Sequence, residues 1–124
     1  MRVELCENLH DGGTTPGYGA ILQAREKISI QLYPIIRPRG GDFLYDDAEF
    51  ELMWTDIDMC RKAGCDGVVI GLLTPEGDID VRRTKLLVEW AWPMGVTFHR
   101  AFDRCREPLR ALEDVISTGC ERIL

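Results

Sequence analysis

The chain has 124 residues, of which 45% are hydrophobic and 29% charged, the size and balance of one globular domain. Its 15 Lys and Arg against 21 Asp and Glu give a net charge of -6, which argues against nucleic acid or an anionic membrane surface as a partner. No apolar run approaches the roughly 18 residues that span a bilayer, and the first residues lack the apolar segment of a signal peptide. We therefore expect a cytoplasmic protein with a single core.

Five cysteines occur, an odd number without any C-x-x-C spacing: Cys6, Cys60, Cys65, Cys105 and Cys120. This pattern favours neither a disulfide framework nor a tetrathiolate zinc site. We expect reduced thiols, most of them packed as small hydrophobic side chains.

Strands and helices are predicted to alternate along the chain. Short apolar or alternating runs predict five strands, at residues 2–6, 28–36, 67–73, 96–99 and 121–124. Pro34 must then lie at the start of its strand or at a bulge, because proline cannot donate a hydrogen bond to a neighbouring strand.

Helix boundaries are marked by residues that cap helices. Asp46 followed by Glu49 is a capping-box pattern, and Gly64 stands where a glycine ends a helix. The other predicted helices run from after Pro16, from Asp80 to about Pro93, and from Pro108 to Gly119. Four helices therefore separate the five strands.

This alternation indicates an α/β fold of parallel β/α units, because a strand returns parallel to its predecessor only through a crossover. A (β/α)₈ barrel requires roughly 250 residues, so five strands and four helices would form about half of one. An open flavodoxin-like sheet of five strands also fits the length, and composition does not separate the two.

Polar side chains share one face of two predicted strands. Glu4 and Cys6 lie on one face of the first strand, and Thr97 and His99 on one face of the fourth, while the apolar residues between them face the helices. In a barrel, these four and Arg37 would face the lumen near the carboxyl ends of the strands, where barrel enzymes keep their sites. Ionisable groups in a core are costly unless paired, so we favour a site over plain packing.

The glycine-rich loop at 37–42 carries two arginines, Arg37 and Arg39. Two guanidinium groups on such a loop predict a clamp for a carboxylate or a phosphate. The alternative is that these arginines pair with Glu4 and Asp103 and hold the loops in place.

Two residues of this set have chemistry that suits a metal. His99 could act as a general base or a metal ligand, although a lone histidine at a strand end is as often structural. Cys6 is a soft donor suited to Cu(I), but no second cysteine stands at ligand spacing. His10 could join Cys6 only if the following loop folds back.

Four runs of the sequence closely resemble the CutC family, which is associated with copper homeostasis. They are RVELC with GGTTP (2–6 and 12–16), IRPRGGDF (36–43), DGVVIG (66–71) and VTFHRAFD (96–103). The resemblance covers essentially the whole chain and implies a TIM (β/α)₈ barrel of a cytoplasmic protein that is often dimeric or larger. Against the family pattern, the domain at 1–124 would lack the first strand, which carries another cysteine in many members, and the last β/α units. We expect a partial barrel.

The resemblance also implies site residues. Cys6 matches a cysteine that is proposed in the family to bind Cu(I), so a copper site that needs both cysteines would be incomplete here. Six other residues match only pocket positions: Glu4, Arg37, Arg39, Asp42, His99 and Asp103.

Two functions follow as hypotheses. In the first, the protein handles cytosolic copper, with Cys6 as a ligand of Cu(I). In the second, it is a metal-independent barrel enzyme in which Arg37 and Arg39 bind a small anionic substrate while Glu4 and His99 act as acid or base. A third possibility is a chain without activity that exposes barrel edges and assembles with its own copies. Whether it is an enzyme stays open, and we expect a homo-oligomer.

Overall fold

A computed structural model describes all residues from 1 to 124, in which strands and helices alternate. The strands are β1 (Arg2–Leu5), β2 (Gln31–Pro34), β3 (Gly67–Ile70), β4 (Gly95–Phe98) and β5 (Arg122–Ile123). The helices are α1 (Tyr18–Lys27), α2 (Asp47–Ala63), α3 (Val81–Ala91) and α4 (Pro108–Thr118). Two 3-10 turns follow β1 and β4, at Leu9–Asp11 and Arg100–Arg104. None of the helices is both long enough and apolar enough to cross a bilayer.

The five strands are parallel and adjacent in chain order. β1 pairs with β2, β3 with β4, and β4 with β5. Backbone hydrogen bonds join β2 to β3 at both ends, where Asp66 N donates to Leu32 O (3.0 Å) and Ile36 N donates to Val69 O (2.8 Å). A flavodoxin-like sheet would have its strands in the order 2-1-3-4-5. The sequential order is that of a (β/α)₈ barrel, so the predicted α/β class is confirmed and the open sheet is excluded.

The prediction for Pro34 is wrong, because this residue ends β2 rather than starting it or forming a bulge. The N–H groups of Leu32 and Ile36 point toward β3, where they donate to Asp66 Oδ2 and Val69 O, both at 2.8 Å. The nitrogen of Pro34, midway between them, faces the same way and has no hydrogen to donate. The sheet accepts the proline because the bonds on either side keep β2 and β3 together.

Capping interactions begin and end the helices as predicted. The Asp46 side chain accepts from Glu49 N, and the Glu49 side chain accepts from Asp46 N, which completes the capping box of α2. Gly64 ends that helix at φ 87°, a left-handed conformation that glycine adopts without strain. Asp80 caps α3 by accepting from Arg83 N.

The hydrophobic core lies between the sheet and the helices. One face of the strands supplies residues that are at most 2% exposed: Leu32, Val68, Ile70, Val96 and Phe98. The helices cover them with Met53, Ile57, Leu87 and Val115, none of them exposed. The opposite faces of the strands therefore turn to the lumen, as the alternation predicted.

At the amino ends of the strands, polar side chains form an interlocked cluster. Arg2 donates to Glu4 (2.6 Å), and its guanidinium carbon lies 4.2 Å from the centroid of the Tyr33 ring. The hydroxyl of Tyr33 donates to Glu121 (2.5 Å). Gly67 leaves room for this ring, since a Cβ there would lie 2.1 Å from Tyr33 Cε2. The cluster joins β1, β2 and the residue before β5 at this end of the sheet.

Candidate functional site

A cleft of about 420 Å³ lies at the carboxyl ends of the strands. Its walls include Glu4 at the end of β1, Cys6 just after it, Arg37 after β2, Val69 in β3 and His99 after β4. Parallel strands that neighbour each other in sequence bring these ends to one rim. With Asp103, which follows His99 in the turn after β4, the structure thus gathers five of the predicted site residues from three separate segments of the chain.

Arg37 is a buried guanidinium without a carboxylate partner. Only 5% of the residue is exposed. Nη1 donates to the carbonyls of Asp11 (2.6 Å) and Gly13 (3.0 Å), and Nη2 donates to that of Gly41 (2.9 Å). Nε has no partner, and the guanidinium carbon lies 4.9 Å from the centroid of the Phe43 ring. These neutral partners leave the positive charge uncompensated, so Arg37 can attract an anion into the cleft.

The imidazole of His99 offers one free hydrogen-bond donor. The backbone N–H of Ala101 donates to its Nδ1 (3.1 Å), which leaves the proton of the neutral ring on Nε2. Nε2 has no partner, although the residue is only 5% exposed. Burial, followed by the nearby charge of Arg37, lowers the pKa of His99 to about 4. At neutral pH the ring is therefore uncharged, and its Nε2–H is available to a ligand.

Gly71 and Phe43 hold this imidazole in place. A Cβ at Gly71 would lie 2.2 Å from His99 Cε1, so only glycine allows the ring to rest there. The Phe43 ring lies 5.1 Å from the imidazole, centroid to centroid. Sequence reasoning missed both residues, although each stands in a run that resembles the CutC family, because neither carries a reactive group.

Glu4 and Cys6 form the β1 side of the cleft. The Glu4 carboxylate accepts from Arg2 at 2.6 Å and is about one third exposed (32%). Cys6 is half-buried beside Gly13, where a Cβ would lie 3.3 Å from the Cys6 sulfur. Both side chains stay accessible to a molecule in the cleft.

Arg39 and Asp42, predicted for the anion clamp and the pocket, do not line the cleft. Arg39 donates to Glu49 (2.6 Å) and to Asp42 (3.0 Å), and its guanidinium carbon lies 5.1 Å from the centroid of the Tyr45 ring. Glu49 is also part of the α2 capping box. Arg39 therefore ties its loop to the start of α2.

Two further predicted pocket residues occupy different places. Thr97 is completely buried in β4, its hydroxyl has no partner, and it does not line the cleft. Asp103 does line the cleft but accepts from Arg100 Nε at 3.0 Å. The alternative in which Arg37 and Arg39 pair with Glu4 and Asp103 does not occur.

The donors around Cys6 do not fit a closed copper site. No group of three or more His, Cys, Asp or Glu residues is placed to hold a metal ion, and the cleft contains no second thiol. His10 is 78% exposed, with its Nε2 3.4 Å from the Asp11 carboxylate. The predicted ligand Cys6 is thus a single soft donor, and a closed Cu(I) site would need further soft ligands beside it.

Parallel β/α units with a polar cleft at the carboxyl ends of the strands define a partial (β/α)₈ barrel. The CutC protein from Streptococcus agalactiae, described as a candidate copper homeostasis protein, superimposes with a TM-score of 0.94 at 36% identity, covering 98% of this chain and 60% of that chain. The carboxyl transferase domain of Rhizobium etli pyruvate carboxylase matches with a TM-score of 0.54 at 16% identity, over 98% of this chain and 20% of its own, a likeness of fold alone.

The sequence matches the CutC family over residues 1–124. The family protein CutC of Chromobacterium violaceum is 62% identical over 124 residues, which are 100% of this chain and 50% of that protein. Its counterpart in Vibrio vulnificus is 57% identical over 125 residues, 99% of this chain and 50% of that protein. The chain therefore belongs to the CutC family, and it spans about half the length of these curated relatives.

Proposed function

We propose that the cleft is the substrate site of a barrel enzyme that acts on a small anionic molecule. The observation that carries this proposal is the uncompensated charge of buried Arg37, next to the free Nε2–H of His99. A buried charge without a partner is costly, and an anion in the cleft would offset that cost. The neutral imidazole adds a hydrogen bond without adding charge.

Glu4 supports the enzymatic part of the proposal. Its carboxylate lines the cleft, where it can accept a proton from a bound molecule, and the hydrogen bond from Arg2 holds it in place. His99, which is uncharged at neutral pH, donates a hydrogen bond to an oxygen on which negative charge develops. These are the roles of a base and an electrophilic donor in one cleft.

Inorganic phosphate and acetate are the probes that test anion binding. We expect either probe at saturating concentration to raise the Tm of the chain, since a ligand at a hundredfold of its Kd stabilises the folded state by about 2.7 kcal/mol. Arg37→Gln should abolish the shift. His99→Phe keeps the ring but removes the Nε2 donor, which should weaken binding by about tenfold or more.

Arg39→Gln is the matched control for these variants. Its guanidinium lies outside the cleft, so we expect a lower starting Tm and an unchanged shift with either probe. Differential scanning fluorimetry measures both quantities. Probe shifts that are absent from the parent, or that survive in Arg37→Gln, would contradict the proposal.

Copper handling is a second candidate, favoured by the Cys6 thiol in the same cleft and by membership of the CutC family. In this hypothesis copper is the cargo of the protein, held by a soft thiolate. The Cys6 thiol is the one metal donor that supports this hypothesis. A copper site would also need further ligands grouped around it, and the cleft does not contain such a group. A cytoplasmic location and assembly into a homo-oligomer stay predictions.

Binding of Cu(I) through Cys6 predicts a large effect of Cys6→Ser. The affinity, measured by competition with a chromogenic chelator under reducing anaerobic conditions, should fall by orders of magnitude. Cys105→Ser is the matched control, because Cys105 is also half-buried but does not line the cleft. Equally weak binding by the parent and Cys6→Ser would contradict a copper function for this cleft.

A further inference from the structure

We propose that the anionic ligand carries two separate negative groups, one held by Arg37 deep in the cleft and the other by Arg104 at its mouth. This inference rests on the proposed anion site. Arg104 ends the 3-10 turn after β4 and lines the cleft. Arg104 is exposed, whereas Arg37 is buried, so the two cations lie at different depths.

Phe43 places the two guanidinium groups close together. The guanidinium carbon of Arg37 lies 4.9 Å from the centroid of the Phe43 ring, and that of Arg104 lies 5.7 Å from the same centroid. Contact with an aromatic ring orients a guanidinium without neutralising its charge. A short molecule in the cleft can therefore reach both.

Arg104 has no acid partner in the chain, which distinguishes it from the other exposed arginine of the cleft. Arg100 pairs with Asp103 at 3.0 Å, and Glu4 pairs with Arg2 at 2.6 Å. The carboxylate of Asp11 lies 3.4 Å from Nε2 of His10, which carries a positive charge only when it is protonated. Arg37 and Arg104 are thus the two cations whose charge the cleft leaves uncompensated.

A short dicarboxylate matches this arrangement. One carboxylate would accept from Arg37 and from Nε2 of His99, and the other would lie against Arg104. The carbon chain between them would contact the apolar side chains of Ile35 and Val69, which line the same cleft. A monocarboxylate of equal length would leave Arg104 without a partner, so Arg104 would determine the specificity for two negative charges.

Succinate and butyrate test the proposal, because both have four carbons and differ in the second carboxylate. By isothermal titration calorimetry at low salt, we expect the chain to bind succinate about fivefold more tightly than butyrate, the size of effect that one exposed ion pair gives. Arg104→Gln should remove this preference and leave the affinity for butyrate unchanged. High salt should also reduce the preference, because Arg104 is exposed to screening ions.

Arg100→Gln is the matched control, since Arg100 occupies the same turn but pairs with Asp103. It should keep the preference for succinate. Equal affinities for succinate and butyrate in the parent, or loss of the preference in Arg100→Gln and not in Arg104→Gln, would overturn the role of Arg104 while leaving the anion site intact. Failure of succinate, butyrate and inorganic phosphate all to bind would overturn the anion site as well.

Discussion

Gly67→Ala should lower the free energy of unfolding by about 3 kcal/mol, the upper range for forcing an extra methyl group into a packed interior. A Cβ at this position would lie 2.1 Å from Tyr33 Cε2 and 2.6 Å from the backbone oxygen of Gly95. The Tyr33 ring cannot retreat freely, because its hydroxyl bonds Glu121 and Arg2 covers its face. Urea denaturation of the parent and the variant measures the loss.

Two other glycines provide controls for this result. Gly19 lies in α1, where a Cβ would meet nothing within 4 Å, so Gly19→Ala should stabilise the chain by about 0.5–1 kcal/mol through helix propensity. At Gly95 the three atoms nearest to an added Cβ belong to the carboxylate end of Glu121, the nearest at 2.4 Å. This side chain is about half exposed (46%) and can shift at the expense of its bond to Tyr33, so Gly95→Ala should cost less than Gly67→Ala. A Gly67→Ala variant as stable as the parent would show that the polar cluster does not pack as described.

Acid should destabilise the protein through His99. Its pKa is about 4 in the folded chain against 6.5 for an ordinary histidine, so between these values the unfolded chain binds a proton that the folded chain does not. The stability contribution is therefore complete above pH 6.5 and is lost as the pH falls toward 4. The full loss amounts to about 3 kcal/mol, at about 1.4 kcal/mol for each pKa unit.

His99→Phe isolates this effect, because it keeps an aromatic ring in the same place and removes the titrating group. We expect the free energy of unfolding of the variant to change little between pH 6.5 and 4, whereas that of the parent falls steeply. Carboxyl groups whose pKa lies below the ordinary 3.8 lose their contribution below this window: Asp42, Asp58 and Asp66. Parallel pH profiles for the parent and His99→Phe would contradict the assignment.

Local signals in the sequence were sufficient for the helices. Asp46 and Glu49 are three residues apart, and their capping box depends only on the backbone between them. The same holds for Gly64, whose left-handed conformation ends α2 without reference to any other element. Pro34 was misplaced because its effect depends on which neighbouring strand its nitrogen faces, and that is a property of the assembled sheet.

Residue spacing predicted the candidate site best near the carboxyl ends of the strands. Thr97 in β4 does not line the cleft, and Asp103, which does, was indicated as a pocket residue only by the family resemblance. Alternation placed Glu4 in the lumen, and the ends of β1, β2 and β4 brought Cys6, Arg37 and His99 to the same rim. Arg39 is two residues from Arg37, yet its loop turns toward α2 and the side chain binds Glu49. The spacing of two residues within a loop does not determine which way their side chains point, because a loop backbone has no regular repeat.

The sequence by itself determined the α/β class, the order of the elements and the strand face that carries polar groups, since periodicity and capping act over a few neighbouring residues. Only the tertiary structure decided that Arg37 is buried without an acid, that Gly71 makes room for His99, and that Arg104 reaches the same cleft. These facts depend on contacts between segments far apart in the chain, where the packing of one side chain settles the environment of another.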